Sequence, residues 1–80
     1  MNMEQNSYKI EIDGKKYDIT IIPVIESDRS ISFKIKDLFI TPAFAIKENA
    51  EKKWYQVSGD EEIDQSIIDE VGLFCRKQYL

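Results

Sequence analysis

One segment of this 80-residue chain, Gly59 to Leu80, carries a sustained helical period, and the residues before it do not. At about 100° per residue, the apolar side chains of this segment fall on one stripe, whereas Gln65, Asp69 and Arg76 fall on the opposite side. The stripe contains Ile63, Ile67, Val71, Phe74 and Cys75, extended by Ile68 and Tyr79. The sequence therefore predicts one C-terminal amphipathic helix, and the residues before it must form the surface that this helix covers.

Two local features of the predicted helix concern its start and its middle. Ser58 has the capping-box spacing with a glutamate three residues on, and Asp60 and Asp64 are each good N-cap residues, so all three are candidates. We expect a start near Asp60. Gly72 falls inside the helix, where glycine costs about 1 kcal/mol relative to alanine. Its presence predicts a close approach of the helix backbone to the sheet edge or to another chain.

The residues before the helix alternate between apolar and polar types, as half-buried strands do. The apolar sets are Tyr8, Ile10 and Ile12; Tyr17, Ile19 and Ile21; and Ile31, Phe33 and Ile35. Residues 38–46 are less regular, and a short strand follows at Trp54–Val57 after a polar turn at 47–52. Strands followed by one helix predict the α+β class. We expect one domain over 1–80, an antiparallel β-meander of about five strands with the helix across one face, and a disordered arm at 1–6.

Charges fix the register of the first predicted hairpin. Asp13-Gly14 is a two-residue turn signal, because a type I′ turn needs positive φ at both central residues. A turn centred there places opposite charges face to face, which a slip of one residue would not do; the pairs are Lys9 with Asp18 and Glu11 with Lys16. Further along, Pro23 cannot donate to a central ladder, so we expect an edge, a bulge or a bend at this residue.

The chain contains no histidine, which excludes several kinds of catalytic and metal site. The commonest general base, the Ser-His and Cys-His pairs and most zinc sites all require that residue. The acidic run at 60–64 matches three positions of a calcium loop, but Gln65 and Val71 stand where glycine and glutamate are needed. No glycine-rich phosphate loop is present. We therefore expect no catalytic residue, no cofactor and no metal, and predict that the protein is not an enzyme.

Charge and composition bear on partners and location. The net charge of −4 and the pI near 4.7 argue against nucleic acid as a partner. No run of 18 apolar residues exists, so we expect no membrane partner. The lone Cys75, expected to be buried on the helix stripe, and the polar N-terminus without a signal pattern favour a cytoplasmic location. A high content of isoleucine and lysine suggests an AT-rich bacterial genome.

More apolar side chains occur in residues 38–57 than one helix can cover, because a helix packs on only one face of a sheet. Some of them could tuck around the sheet edge, but aromatic surplus also marks interfaces. We predict a contact surface formed by Phe39, Phe44, Trp54, Tyr55 and Leu73. The expected function is a non-catalytic protein–protein interaction or accessory domain, with a protein partner or a homodimer formed through strands 4–5.

We expect the edge at strand 5 to be poorly protected against pairing with another chain. Only Lys52 and Lys53, at one end of the strand, provide charges that oppose such pairing. The alternative function is a small-ligand-binding module. Its pocket would lie between helix and sheet, lined by the aromatic side chains of Tyr8, Tyr17, Phe33 and Trp54.

Overall fold

The computed structural model describes residues 5–38 and 42–80, and these residues form one open antiparallel sheet with one helix packed on it. The sheet order follows the chain, β1-β2-β3-β4-β5. The elements are β1 (Asn6–Ile12), β2 (Lys15–Ile25), β3 (Ile31–Lys36), β4 (Phe44–Glu48), β5 (Trp54–Gly59) and α1 (Gln65–Tyr79). The predicted α+β class, the meander and the C-terminal helix are confirmed.

The first hairpin has the register that its charges predict. Asp13 and Gly14 have φ values of 53° and 79°, as the central residues of a type I′ turn require. The turn places Lys9 opposite Asp18, and the Lys9 Nζ lies 2.9 Å from the carboxylate. One prediction fails nearby: Asn6, which we assigned to the N-terminal arm, pairs with Ile21 in the sheet. The rest of that predicted arm falls mostly on residues 1–4, outside the described residues.

Strand pairing assigns every strand residue to one of two sheet faces. The inner face, which α1 covers, carries most of the apolar strand residues, and the outer face lies opposite. The buried core combines inner-face residues with one helix face: Ile10, Ile12, Ile19, Ile21, Phe33, Ile35, Phe44, Ile46 and Trp54 with Ile68, Val71 and Cys75, and Leu38 after β3. Burial of this apolar surface is the main stabilising contribution, because the transfer free energy grows with the area removed from water.

The helix starts later than we expected, and its buried stripe is rotated. Asp64 is the N-cap residue, and its carbonyl oxygen accepts the first helical hydrogen bond, so the expected start near Asp60 is wrong. Gln56 explains the delay: its side chain donates to the Glu61 carbonyl at 2.7 Å and accepts from the Ile63 amide at 2.9 Å. These bonds hold residues 61–63 outside the helix.

The buried face of the helix is rotated relative to the predicted stripe. The fully buried helix residues are Ile68, Val71, Gly72 and Cys75, whereas Ile67 and Phe74 are half-buried.

Two irregularities shape the second half of the sheet. β4 lies later than expected, and it includes Lys47 and Glu48, which we assigned to the turn. Ala45 pairs with Ser58 and Ile46 with Gln56, so Val57 is an extra residue in a β-bulge. At Pro23 the β2–β3 register continues without a bulge, and among the described residues β1 pairs with β2 no further than Ile21. Within the described residues, Pro23 therefore has a pairing partner on the β3 side only, as the edge alternative expects.

Candidate functional site

The five residues of the predicted contact surface do not lie together. Phe44 and Trp54 are 3% and 5% exposed on the inner face, so the chain's own core already contains them. Tyr55 is 40% exposed on the outer face of β5, whereas Leu73 is 49% exposed on α1, which packs on the inner face. Phe39 lies outside the described residues. Of the four described residues of the predicted surface, only Tyr55 and Leu73 are therefore available for contact in a single chain, and they lie on different faces of the molecule.

Trp54 is buried because α1 has a glycine at the point where it crosses β5. A Cβ atom added at Gly72 would overlap the Cγ, Cδ1 and Cδ2 atoms of the Trp54 indole. The predicted close approach of the helix backbone to the sheet edge is confirmed, and it explains why a glycine with poor helix propensity stands there. The Phe33 ring, centred 5.9 Å away, packs against the same indole. Sequence reasoning found the glycine but missed its partner, which is the bulkiest side chain on the neighbouring strand.

A second contact between helix and sheet edge involves opposite charges. The guanidinium of Arg76 forms an ion pair with the carboxylate of Glu48 on β4, and its Nη2 donates to the Lys52 carbonyl at 3.3 Å. The same guanidinium lies 5.9 Å from the centre of the Trp54 ring, within cation–π range. Arg76, which we placed on the solvated side of the helix, instead reaches back to the sheet. The carboxylate of Glu48 thus connects α1 to β4.

The space between helix and sheet, where a ligand pocket was the alternative prediction, contains packed aromatic rings. The ring centres of Tyr8 and Phe74 are 5.3 Å apart, as are those of Phe33 and Tyr79. The Tyr8 hydroxyl donates to the Tyr79 hydroxyl at 3.0 Å. Burial, together with this hydrogen bond, raises the pKa of Tyr79 to about 12. Three of the four rings that would have lined a pocket, those of Tyr8, Phe33 and Trp54, therefore pack against other aromatic rings.

Nucleophilic and metal-binding chemistry has little support among the described residues. Cys75 is fully buried, and burial raises the pKa of its thiol to about 12, so the reactive thiolate is not formed near neutral pH. The side chains at 60–62 are exposed, and no group of three or more Cys, Asp or Glu residues within 5–38 and 42–80 could hold a metal ion. The surface feature to consider next is an apolar region.

This apolar region, which we call the β5 patch, lies on the outer face and consists of Ile22, Val24, Ala45, Tyr55 and Val57. Tyr55 and Val57 are 40% and 45% exposed, and the other three are half-buried. The β-bulge accounts for Val57, because an extra residue in a strand changes the direction of its side chain. Val57 and Val24 line a depression together with the small residues Ala45 and Ser32. No described element covers this part of the sheet.

Unpaired charges of opposite sign stand at the two ends of β5. Lys52 and Lys53 precede the strand, the acidic residues 60–62 follow it, and all five side chains are exposed. None of the five forms a salt bridge with any residue of 5–38 or 42–80. The edge itself is better protected than we expected, because the Gln65 side chain donates to the Trp54 carbonyl at 2.8 Å. One main-chain acceptor of β5 is therefore already satisfied by the helix.

Comparisons with protein families, with curated proteins and with solved structures find no match to this chain. Within the described part of the chain, no helix has both the length and the apolar character needed to cross a bilayer. Any functional assignment therefore depends on the surface of the molecule itself.

Proposed function

We propose that this protein is a small cytoplasmic, non-catalytic interaction domain that binds a protein partner through the β5 patch. The observation that carries the proposal is the exposure of Tyr55 and Val57 side by side on an edge strand, with no described element over them. Tyrosine is enriched at protein interfaces because its large ring buries apolar area while its hydroxyl forms a hydrogen bond. A second copy of the chain is the simplest such partner, since a two-fold contact needs only one self-complementary surface.

The geometry of the patch supports contact with a protein rather than with a small molecule. The depression of the β5 patch is lined in part by the charged residues Glu26 and Lys34, whereas small-molecule sites are lined mostly by hydrophobic and aromatic side chains. The rings of Tyr8, Phe33 and Trp54, which the ligand-binding alternative needs as pocket walls, pack against other aromatic rings. The ligand-binding alternative therefore has less support than a protein partner.

Sedimentation equilibrium tests this proposal with a matched pair of variants. Protein concentrations of about 10–500 μM cover weak self-association with a Kd in the micromolar range. We expect the wild type to self-associate, and Tyr55→Ser with Val57→Ser to raise the dimer Kd at least about tenfold, because interface tyrosines often contribute more than 1 kcal/mol. Leu73→Ser removes a similarly exposed apolar side chain from α1, on the other side of the sheet, and should leave the Kd unchanged.

Circular dichroism and urea unfolding of each variant show whether the fold is intact. A wild-type protein that remains monomeric throughout this range contradicts self-association. Equal weakening by Leu73→Ser and by the Tyr55/Val57 variant contradicts the assignment of the contact to the β5 patch.

A further inference from the structure

The charges at the two ends of β5 suggest how two copies meet. We propose that two chains associate about a two-fold axis with their β5 edges side by side and antiparallel, so that Lys52 and Lys53 of each copy face Asp60 and Glu61 of the other. This inference rests on the proposed function, and it adds the orientation of the partner and the residues that select it.

The order of residues along β5 is self-complementary under such an axis. An axis passing between Gln56 and Val57 sets Lys53 opposite Asp60 and Lys52 opposite Glu61. In a two-fold contact every pair occurs twice, so the dimer gains both sets of opposite charges. Parallel alignment of the same strands would instead bring lysine to lysine and acid to acid, which is repulsive.

The apolar side chains of the β5 patch occupy the middle of the same strand. Tyr55 and Val57 lie between the two charged ends and reach the outer side of the edge. An antiparallel contact brings the pair from one copy beside the pair from the other, which places the apolar area at the centre and the charges at the rim. Protein interfaces have this arrangement of an apolar core and a polar rim.

The contact uses side chains more than a continuous hydrogen-bond ladder. The Trp54 carbonyl already accepts from Gln65, and the Ser58 carbonyl accepts from the Gln56 side chain at 3.2 Å. These bonds hinder uninterrupted strand pairing along the edge. Such pairing is the usual route to open-ended aggregation. The exposed charged side chains at both ends remain free of described salt bridges, and thus available to a partner.

Charge reversal tests the orientation. Lys52→Glu/Lys53→Glu and, separately, Asp60→Lys/Glu61→Lys should each raise the dimer Kd at least about tenfold at low salt, because like charges then meet at both ends. An equimolar mixture of the two variants should recover dimers, since each reversed end meets its complement. A chain carrying all four reversals has the wild-type net charge and should form dimers on its own.

A control with the same change of net charge uses two exposed lysines away from β5, one in the first hairpin and one in α1. Lys15→Glu/Lys77→Glu should leave the Kd within about twofold of wild type. If the Tyr55/Val57 variant loses dimers while the reversals at 52–53 and 60–61 have no effect, the proposed function stands and this orientation is wrong. Failure of the mixture or of the fourfold variant to recover dimers also overturns the orientation. A monomeric wild type contradicts both proposals.

Discussion

β1 and β5 occupy equivalent positions at the two edges of one sheet, but they present different surfaces to solvent. The outward side chains of β1 are polar, and Lys9 is paired with Asp18 of the adjacent strand at 2.9 Å. The outward side chains of β5 include Tyr55 and Val57, and the charges at its ends have no described partner. At β1 the opposite charges meet within the chain. At β5 they are separated by the length of a strand, so that only a second molecule can bring them together.

The inner sides of the same two edges also differ. At β5 the helix backbone contacts the sheet directly, because Gly72 has no side chain to keep Trp54 at a distance. At β1 the contact is made by side chains, with Tyr8 against Phe74 and Tyr79. The edge strand that the helix backbone approaches most closely on the inner face is therefore also the one with exposed apolar side chains on the outer face. A rigid strand is a suitable base for a contact surface, because less ordering is needed on binding.

The largest expected effect comes from the inner side of β5. Trp54→Ala should lower the free energy of unfolding by about 3–5 kcal/mol, through lost burial and a cavity beneath Gly72. A place in the contact surface predicted from the sequence would instead have let this variant weaken an interface with the fold intact, but Trp54 is buried. Urea denaturation measures the loss, with Tyr8→Ala as the matched change at β1, where the ring is half-buried. A smaller loss for Trp54→Ala than for Tyr8→Ala would reverse the comparison.

A smaller effect should appear at alkaline pH. The pKa of Cys75 rises from its ordinary value of 9.0 to about 12 on burial, so the unfolded chain releases this proton at a lower pH than the folded chain. Stability is therefore complete below pH 9 and falls as pH rises from 9 towards 12, initially by up to about 1.4 kcal/mol per pH unit. Urea unfolding at several pH values measures the slope.

The contribution of Tyr79 can be separated from that of Cys75, because its ordinary pKa of 10.0 is higher. Cys75→Ala should flatten the loss between pH 9 and 10, and Tyr79→Phe should change only the loss above pH 10. An identical pH slope in wild type and Cys75→Ala would show that the thiol is already accessible in the folded protein.

The smallest effect concerns the outer charges. Lys9→Ala removes an exposed pair and should cost about 0.2–1 kcal/mol of stability, with no change in self-association, because exposed ion pairs are screened by solvent. Lys52→Ala should do the opposite, leaving the unfolding midpoint unchanged while weakening the dimer. Measuring both quantities for both variants checks whether the charges of β1 act within one chain and those of β5 between chains.

Local chemistry accounts for the parts of the fold that were predicted correctly. The hairpin register followed from Asp13-Gly14 and from the charges beside it, because turn type and cross-strand pairs act over a few residues. The burial of Cys75 was equally local, since an apolar period along a helix is visible in the sequence. The start of α1 was predicted wrongly. The Gln56 side chain, several residues earlier, decides it through hydrogen bonds that no local pattern reveals.

The candidate site was predicted only in part for a related reason. Sequence alone determined that strands 4–5 carry more apolar side chains than one helix covers, and that Gly72 needs a close neighbour. It did not determine which of these side chains the helix buries. Strand pairing places Phe44 and Trp54 on the inner face and Tyr55 on the outer face, and the bulge adds Val57 to the exposed set. Successive strand residues point to opposite faces, so one bulge or a register shift of one residue moves side chains from the buried face to the exposed face. Only the tertiary structure determines the register and the position of the bulge.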